Sequence, residues 1–360
     1  MEPLKEMFNK RFYTQFAAEF NRADKNFKAE QFIKEMLLGL EPLSLNERMR
    51  KTSHTLKKYL PPDYKKSIAI MKQVIQNTPR GYTNLVFPDF VGQYGHDDVD
   101  TSLDALKHFT QFGSSEFAIR EFLKRDFNKT IKVMNQWAKD KNAHVRRLAS
   151  EGSRPRLPWS FKLDHVIKNP QSTQSILDAL KQDEELYVRK SVANHLNDHS
   201  KDNTDFMLQV LKAWDKKHPH TAWILKHASR SLIKKGDANS LALFDFEKDV
   251  KIKLEKFKIK NSKVKLGSNL EFEFTLTSQK TKTQKLVVDY IIHYRKKGKE
   301  LSPKVFKLKE LDLKPKESIP ISKKQMIKDF TTRKHFAGEH FLEIQVNGKV
   351  YGKLKFNLSL

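Results

Sequence analysis

With 360 residues, 38% of them hydrophobic and 25 of them phenylalanine, the chain can bury a real core and exceeds one average domain. A 31% charged fraction and the lack of any apolar run near the roughly 20 residues of a bilayer span argue against a membrane protein. The absence of cysteine excludes a disulfide scaffold, a thiolate nucleophile and a cysteine-ligated metal. The formal net charge of +26 puts a polyanion first among partners, nucleic acid before acidic lipid, because clustered Lys and Arg attract phosphate and release its counterions.

The opening "MEPLKEMFNKRFYTQFAAEF" has early acids and no continuous apolar stretch, which is not the pattern of a signal peptide and implies a cytoplasmic protein. From there to about residue 245 apolar residues recur at spacings of three and four between polar turns, as in "FKAEQFIKEMLLGL", "TSLDALKHFTQFG", "NAHVRRLASEG" and "TAWILKHASRSLIKKGD". Ser114 or Ser115 before Glu116 reads as a helix start, with Glu116 in the first turn, and Gly152 after Glu151 reads as a helix stop. Three helices share an apolar-basic step followed by apolar residues: Ile119-Arg120, Val145-Arg146 and Val188-Arg189. Ile224-Leu225-Lys226 is a degenerate fourth copy. Irregular spacings of 26, 43 and 36 residues fit paired helices of the HEAT kind, hence an all-α HEAT-like α-solenoid over 1–247. In that arrangement the apolar members are core and the basic ones point to a concave face or its rim.

Near residue 250 the period changes to two. "KIKLEKFKIK", "NLEFEFTLTS", "QKLVVDYIIHYRK", "KVFKLKELDLK", "HFLEIQVNG" and "KVYGKLKFNL" alternate between Gly-, Ser-, Asn- and Lys-rich turns. Five to seven antiparallel strands over 250–360 predict an all-β immunoglobulin-like sandwich, so the chain reads as multidomain. Asn347-Gly348 predicts a type I′ hairpin turn. Residues 251–360 hold 27 Lys+Arg against 11 Asp+Glu, while the other 250 residues hold 42 against 32, so the smaller part is the more basic one.

The densest chemistry lies in "HVRRLASEGSRPRLPW", His144 to Trp159. Arg147 and Glu151 stand four apart on one helix face, either as an ion pair or as a functional couple. Against the plain ion pair, Glu151 falls in a last turn, where the helix dipole disfavours a negative charge. Pro155 and Pro158 force Arg154, Arg156 and Trp159 on to a stiff extended loop, suited to phosphates and a flat base or sugar, unless Trp159 is the anchor that packs the loop down. Asp198, in "ANHLNDHSKDN", sits where a helix gives way to a turn. His195 and His199, and His218 and His220, lack a third ligand nearby in sequence, so no metal and no cofactor is expected. No GxSxG, Walker or GxGxxG motif occurs.

The Arg-x-x-x-Glu-Gly-x-Arg-Pro-x-x-Pro-Trp run, with "SSEFAIREFL" before it and "YVRKSVANHLND" after it, resembles the AlkC branch of the bacterial DNA-alkylation-repair glycosylases. The resemblance implies a HEAT-like solenoid that hydrolyses the N-glycosidic bond of N3-alkylated bases, chiefly 3-methyladenine and 3-methylcytosine. It implies that this happens in duplex DNA without base flipping, at the start of base excision repair. It makes Glu116, Glu151 and Asp198 the catalytic acids, with Arg147 holding one of them and Trp159 forming an aromatic wall. Arg146, Arg154, Arg156, Arg189 and Lys190 join Arg147 and Trp159 in the expected DNA-binding set, with the immunoglobulin-like domain as a second contact. A cytoplasmic, nucleoid-associated monomer acting on double-stranded DNA is expected. The chemistry agrees, because alkylation at N3 makes the base a good leaving group, and carboxylates can stabilise the sugar cation and aim water at C1′. Two other readings fit the composition: a non-catalytic basic solenoid that binds DNA or RNA, and a protein-interaction scaffold.

Overall fold

The computed structural model describes residues 3–298, 300–330 and 333–360. The chain divides into two compact units, Met1–Ala228 and Ser229–Leu360. Among the described residues no helix is long and apolar enough to cross a membrane.

The first unit is helical: α1 (Lys10–Ala23), α2 (Ala29–Leu37), α3 (Leu45–Tyr59), α4 (Tyr64–Ile75), α5 (Val86–Tyr94), α6 (Val99–Phe109), α7 (Ala118–Arg125), α8 (Phe127–Trp137), α9 (Ala143–Gly152), α10 (Asp164–Lys168), α11 (Gln174–Leu180), α12 (Leu186–His199), α13 (Thr204–Ala213) and α14 (Pro219–Ala228). Helices two or three apart in the chain lie side by side, α3 on α5, α5 on α7, α9 on α12 and α12 on α14, while α8 and α11 pack against α9. Ile119, Val145, Val188 and Ile224, the apolar members of the repeated step, are wholly buried, as a shared core position requires.

Their basic neighbours behave differently from the expected row on a concave rim. Arg120 is itself wholly buried. Arg146 Nη1 donates to the carbonyls of Asp140 (3.0 Å) and Lys141 (3.0 Å), and Arg189 Nη1 to those of Asp183 (2.8 Å) and Glu184 (2.6 Å). In both cases the acceptors lie six and five residues back, so each arginine ties the turn before its own helix. Such carbonyls precede a helix N-terminus and have no partner within it, which explains the recurrence without reference to a ligand.

Gly152 also differs from its sequence reading. It is the last residue of α9 rather than a left-handed cap beyond it, and Ser153 (φ −91°) is the C-cap. A Cβ on Gly152 would stand 2.5 Å from Cγ2 of the buried Ile119, so glycine is required by the close approach of α7 and α9. Glu116 precedes α7 in a turn, not in the helix's first turn as the serines suggested.

The second unit opens with α15 (Arg230–Lys235) and α16 (Ala238–Ala242), followed by β1 (Ile252–Ile259), β2 (Lys263–Lys265), β3 (Asn269–Ser278), β4 (Gln284–Arg295), β5 (Leu301–Leu313), β6 (Ser318–Met326), β7 (Gly338–Val346) and β8 (Lys349–Ser359). The strands form a three-stranded sheet, β1-β3-β6, and a five-stranded sheet, β2-β8-β7-β4-β5. All pairings are antiparallel except β2 with β8, which is parallel. β3 shows the expected alternation, with Leu270, Phe272, Phe274 and Leu276 buried in the core. β4 does not alternate, because its second face is covered as well: Val287 packs with Ile233, Leu241 and Phe246. The last two helices therefore belong with the strands, and the compact division falls before the change of sequence period. At the β7–β8 turn Asn347 (φ 45°) and Gly348 (φ 82°) have the positive φ values that Asn-Gly predicted.

Two consequences can be measured. Gly152→Ala forces a methyl into Ile119 and should destabilise the protein by about 1–3 kcal/mol in thermal or denaturant unfolding; an unchanged midpoint would contradict the close approach. Burial pushes the Asp289 carboxyl up to about 6, with Lys234 opposing the shift. The folded state thus holds the proton more tightly than the unfolded chain, so stability falls as pH rises from about 4 to about 6 and then levels. Asp289→Asn should raise the unfolding free energy at pH 8 by up to about 3 kcal/mol and leave it unchanged near pH 4, read by denaturant unfolding; an equal difference at both pH values would contradict this pH dependence.

Candidate active site

Asn142 starts α9 by accepting the His144 N–H on its side-chain oxygen (2.9 Å), and the helix delivers Arg147 and Glu151 one turn apart. The chain then turns through Ser153 into a loop whose apolar anchors are Leu157 and Leu163, both buried. Trp159 is not the anchor. It is 81% exposed and held at φ 65°, a left-handed conformation unusual for a bulky residue. Beneath the loop Arg120 donates to the carbonyls of Gly152 (3.1 Å), Arg154 (2.6 Å) and Phe161. One buried guanidinium so fixes both ends of the segment that carries Arg154 and Trp159. Burial, and then the neighbouring Arg154 charge, lowers Arg120 to about 10, still protonated at neutral pH.

The three acids singled out in the sequence come together. Arg147 Nη1 donates to Glu116 Oε2, and its Nη2 lies 3.4 Å from Glu151 Oε1. Arg154 Nη1 donates to the same Glu151 Oε1 (2.7 Å), while its Nε and Nη2 fork on to Asp198 Oδ2 (2.8 Å) and Oδ1 (3.1 Å). Acid and base thus alternate in the order Glu116, Arg147, Glu151, Arg154, Asp198. Among the described residues Glu151 Oε2 has no hydrogen-bond partner, whereas both oxygens of Asp198 are taken. Ser114 donates to Glu116 Oε2 (2.8 Å) and accepts from Arg147 (3.0 Å). Burial raises the Asp198 carboxyl above the usual range, Arg154 opposes this, and the Glu151 charge adds to it.

The remaining expected residues stand apart from this chain of charges. Arg146 forks on to Asp183 (2.6 and 3.0 Å), and Arg156 is paired with Asp202 (2.6 Å) at the surface. Arg189 lies 5.9 Å from the Trp223 ring, and Lys190 is exposed. Among the described residues no group of three or more His, Cys, Asp or Glu is placed to hold a metal ion.

Three contributors escaped the sequence reading. Arg120 was visible as a repeat member but not as a buried clamp. Tyr187, 43% exposed, lies under the Arg147 guanidinium at 4.9 Å. Its hydroxyl is raised by burial and further by Glu116 and Glu151, with Arg147 opposing. His195 bridges α9 and α12 from within, with Nδ1 3.0 Å from the Ser150 carbonyl and Nε2 3.2 Å from Thr173 Oγ1. Burial, reinforced by His199, lowers its pKa well below the usual value, so it is a neutral spacer beside Glu151.

Comparison with known proteins places the chain in a family. A family model described as "DNA alkylation repair enzyme" matches residues 103–232, which contain the whole chain of charges. One described as "Uncharacterised protein YhaZ, C-terminal Ig-like domain" matches residues 253–360. The protein YhaZ of Bacillus subtilis (strain 168) is 40% identical over 99% of this chain and 100% of its own length. The solved structure of Pseudomonas fluorescens alkylpurine DNA glycosylase AlkC, bound to DNA containing an abasic site analog, is 43% identical. It covers 100% of both chains with a TM-score of 0.95. The chain therefore belongs to the DNA alkylation repair enzyme family, in its AlkC branch, with a C-terminal immunoglobulin-like domain.

Proposed function

We propose that this protein is a DNA glycosylase that hydrolyses the N-glycosidic bond of cationic N3-alkylated bases, 3-methyladenine and 3-methylcytosine, in duplex DNA. Glu151 is the carboxylate nearest the reacting sugar, and the observation that carries this is its Oε2, which has no hydrogen-bond partner among the described residues. Arg147 and Arg154 both meet Oε1, which holds the group in one orientation and leaves the second oxygen for a water or the sugar cation. Glu116 shares the electrostatic role. Asp198, whose two oxygens are engaged by Arg154, acts chiefly by fixing that arginine and by adding negative potential.

A cationic base leaves with its bonding electrons as a neutral heterocycle, so no strong general acid is needed. The enzyme must stabilise the developing positive charge on the sugar and direct water at C1′. Carboxylates fixed in a largely dry site do both without reorganising. The exposed Trp159 suits an aromatic wall against a sugar or base. We read the row of side-by-side helices as a HEAT-like solenoid whose face meets the bent duplex, so that the lesion is reached without flipping. The strongly basic second unit adds a further DNA contact, and the reaction opens base excision repair in the bacterial cytoplasm.

The test is release of free base from duplex DNA containing 3-methyladenine. Glu151→Gln should slow release by about a hundredfold or more, the scale of a lost proton-transfer or charge-stabilising group, while duplex affinity stays near the parent's. If Glu151→Gln, Glu116→Gln and Asp198→Asn all release base at the parent rate, the carboxylate mechanism is wrong.

A further inference from the structure

Next to the carboxylates lies a cavity of about 390 Å³ that the mechanism above does not use, walled by α3, α5, the start of α7 and the loop from Trp159 to Phe161. Ser114, the partner of Glu116 and Arg147, lines it, so it opens one side chain away from the reacting centre. The aromatic residues Tyr82, Phe117, Trp159 and Phe161 line it, the Phe161 ring already carrying Arg120 and Lys124 at 5.4 Å. The Tyr82 hydroxyl is held in place by donating to Asn46 Oδ1. Its charges are Glu47, Asp89 and Glu121 against a single lining cation, Arg50, whose guanidinium is already forked on to Asp89 (3.1 and 3.2 Å).

That balance decides what the cavity can hold. In a chain of net charge +26 a pocket with an excess of carboxylates disfavours phosphate, so a nucleotide still attached to its backbone is a poor fit. A free nucleobase suits it: the ring is flat enough to stack on aromatic side chains, and its N–H groups find carboxylate acceptors. The volume falls within the range of sites for small ligands. We infer that this cavity receives the alkylated purine after the glycosidic bond has been cut, holding the leaving group away from the sugar. The inference rests on the glycosylase reading and adds to it a product site formed by Tyr82 and Glu121.

The experiment titrates free 3-methyladenine into the intact protein by calorimetry and, separately, adds it as an inhibitor of excision. Saturable binding at one site is expected, weakened about tenfold by Tyr82→Ala and by Glu121→Gln, the loss of one charge-assisted contact or stacking face. Single-turnover excision should be unchanged in both variants, and Tyr82→Phe should bind like the parent. If Tyr82→Ala does not fold, Glu121→Gln alone decides. Absence of saturable binding, or binding that Glu121→Gln leaves intact, overturns the inference while excision by the parent still upholds the glycosylase reading. Slow single-turnover excision by Tyr82→Ala would assign the cavity to the base before cleavage and overturn the inference as well. A protein that excises nothing yet binds free 3-methyladenine through Glu121 would keep the purine site and sink the glycosylase reading.

Discussion

Arg154 carries a nearly buried guanidinium between carboxylates from two helices, Glu151 of α9 and Asp198 of α12, and the geometry of the site depends on it. Burying charges costs several kcal/mol per ion, which their attraction offsets only when every donor is well placed. Here the fork on Asp198 uses two nitrogens and Glu151 takes the third. The backbone of Arg154 is itself held by Arg120, which also grips Gly152 and Phe161. The loop cannot relax without uncovering one of these groups, and this rigidity keeps the free oxygen of Glu151 in place. Arg147 repeats the device on the other side, shared between Glu116 and Glu151 and backed by Tyr187.

Much of this was legible in the sequence, for physical reasons that can be named. The change from a 3.6-residue to a two-residue period marks the helical and stranded parts, and Asn347-Gly348 specifies its turn because few other pairs accept two positive φ values. Glu116 and Asp198 each have an ordinary explanation, as a helix-start acid and a turn aspartate, and it is the family resemblance that groups them with Glu151. What was hidden depended on contacts distant in sequence. Gly152 reads as a helix stop, but it is needed for the approach of Ile119, a neighbour 33 positions away. Arg146 and Arg189 are local exceptions: each ties carbonyls five and six residues back, and a basic residue beside a core position gives no sign of which carbonyls it will meet. β6 was missed because Pro320 and the lysines at 323 and 324 blur the alternation of a strand at the sheet edge. Trp159 and Leu157 could each have anchored the loop, and only packing shows that leucine does so and leaves the tryptophan exposed.

On the proposed reading the charge pattern has a single logic. The basic surface gathers the duplex, while the carboxylates near α7, α9 and α12 and those of the adjoining cavity form an acidic island that favours a cationic base and tolerates a released one. Selectivity of this kind rests on the charge of the lesion more than on hydrogen bonds to base edges, which suits an enzyme that must find damage in any sequence.

On the proposed reading the alternating acids and arginines act as one unit. The most direct test is a double-mutant cycle on single-turnover excision of 3-methyladenine, with Arg154→Met and Asp198→Asn made singly and together. Strong coupling is expected, the double variant losing little more than the worse single one, because either change already breaks the same fork and frees Glu151 to move. Losses that simply multiply would show that the two residues act independently, and would contradict it.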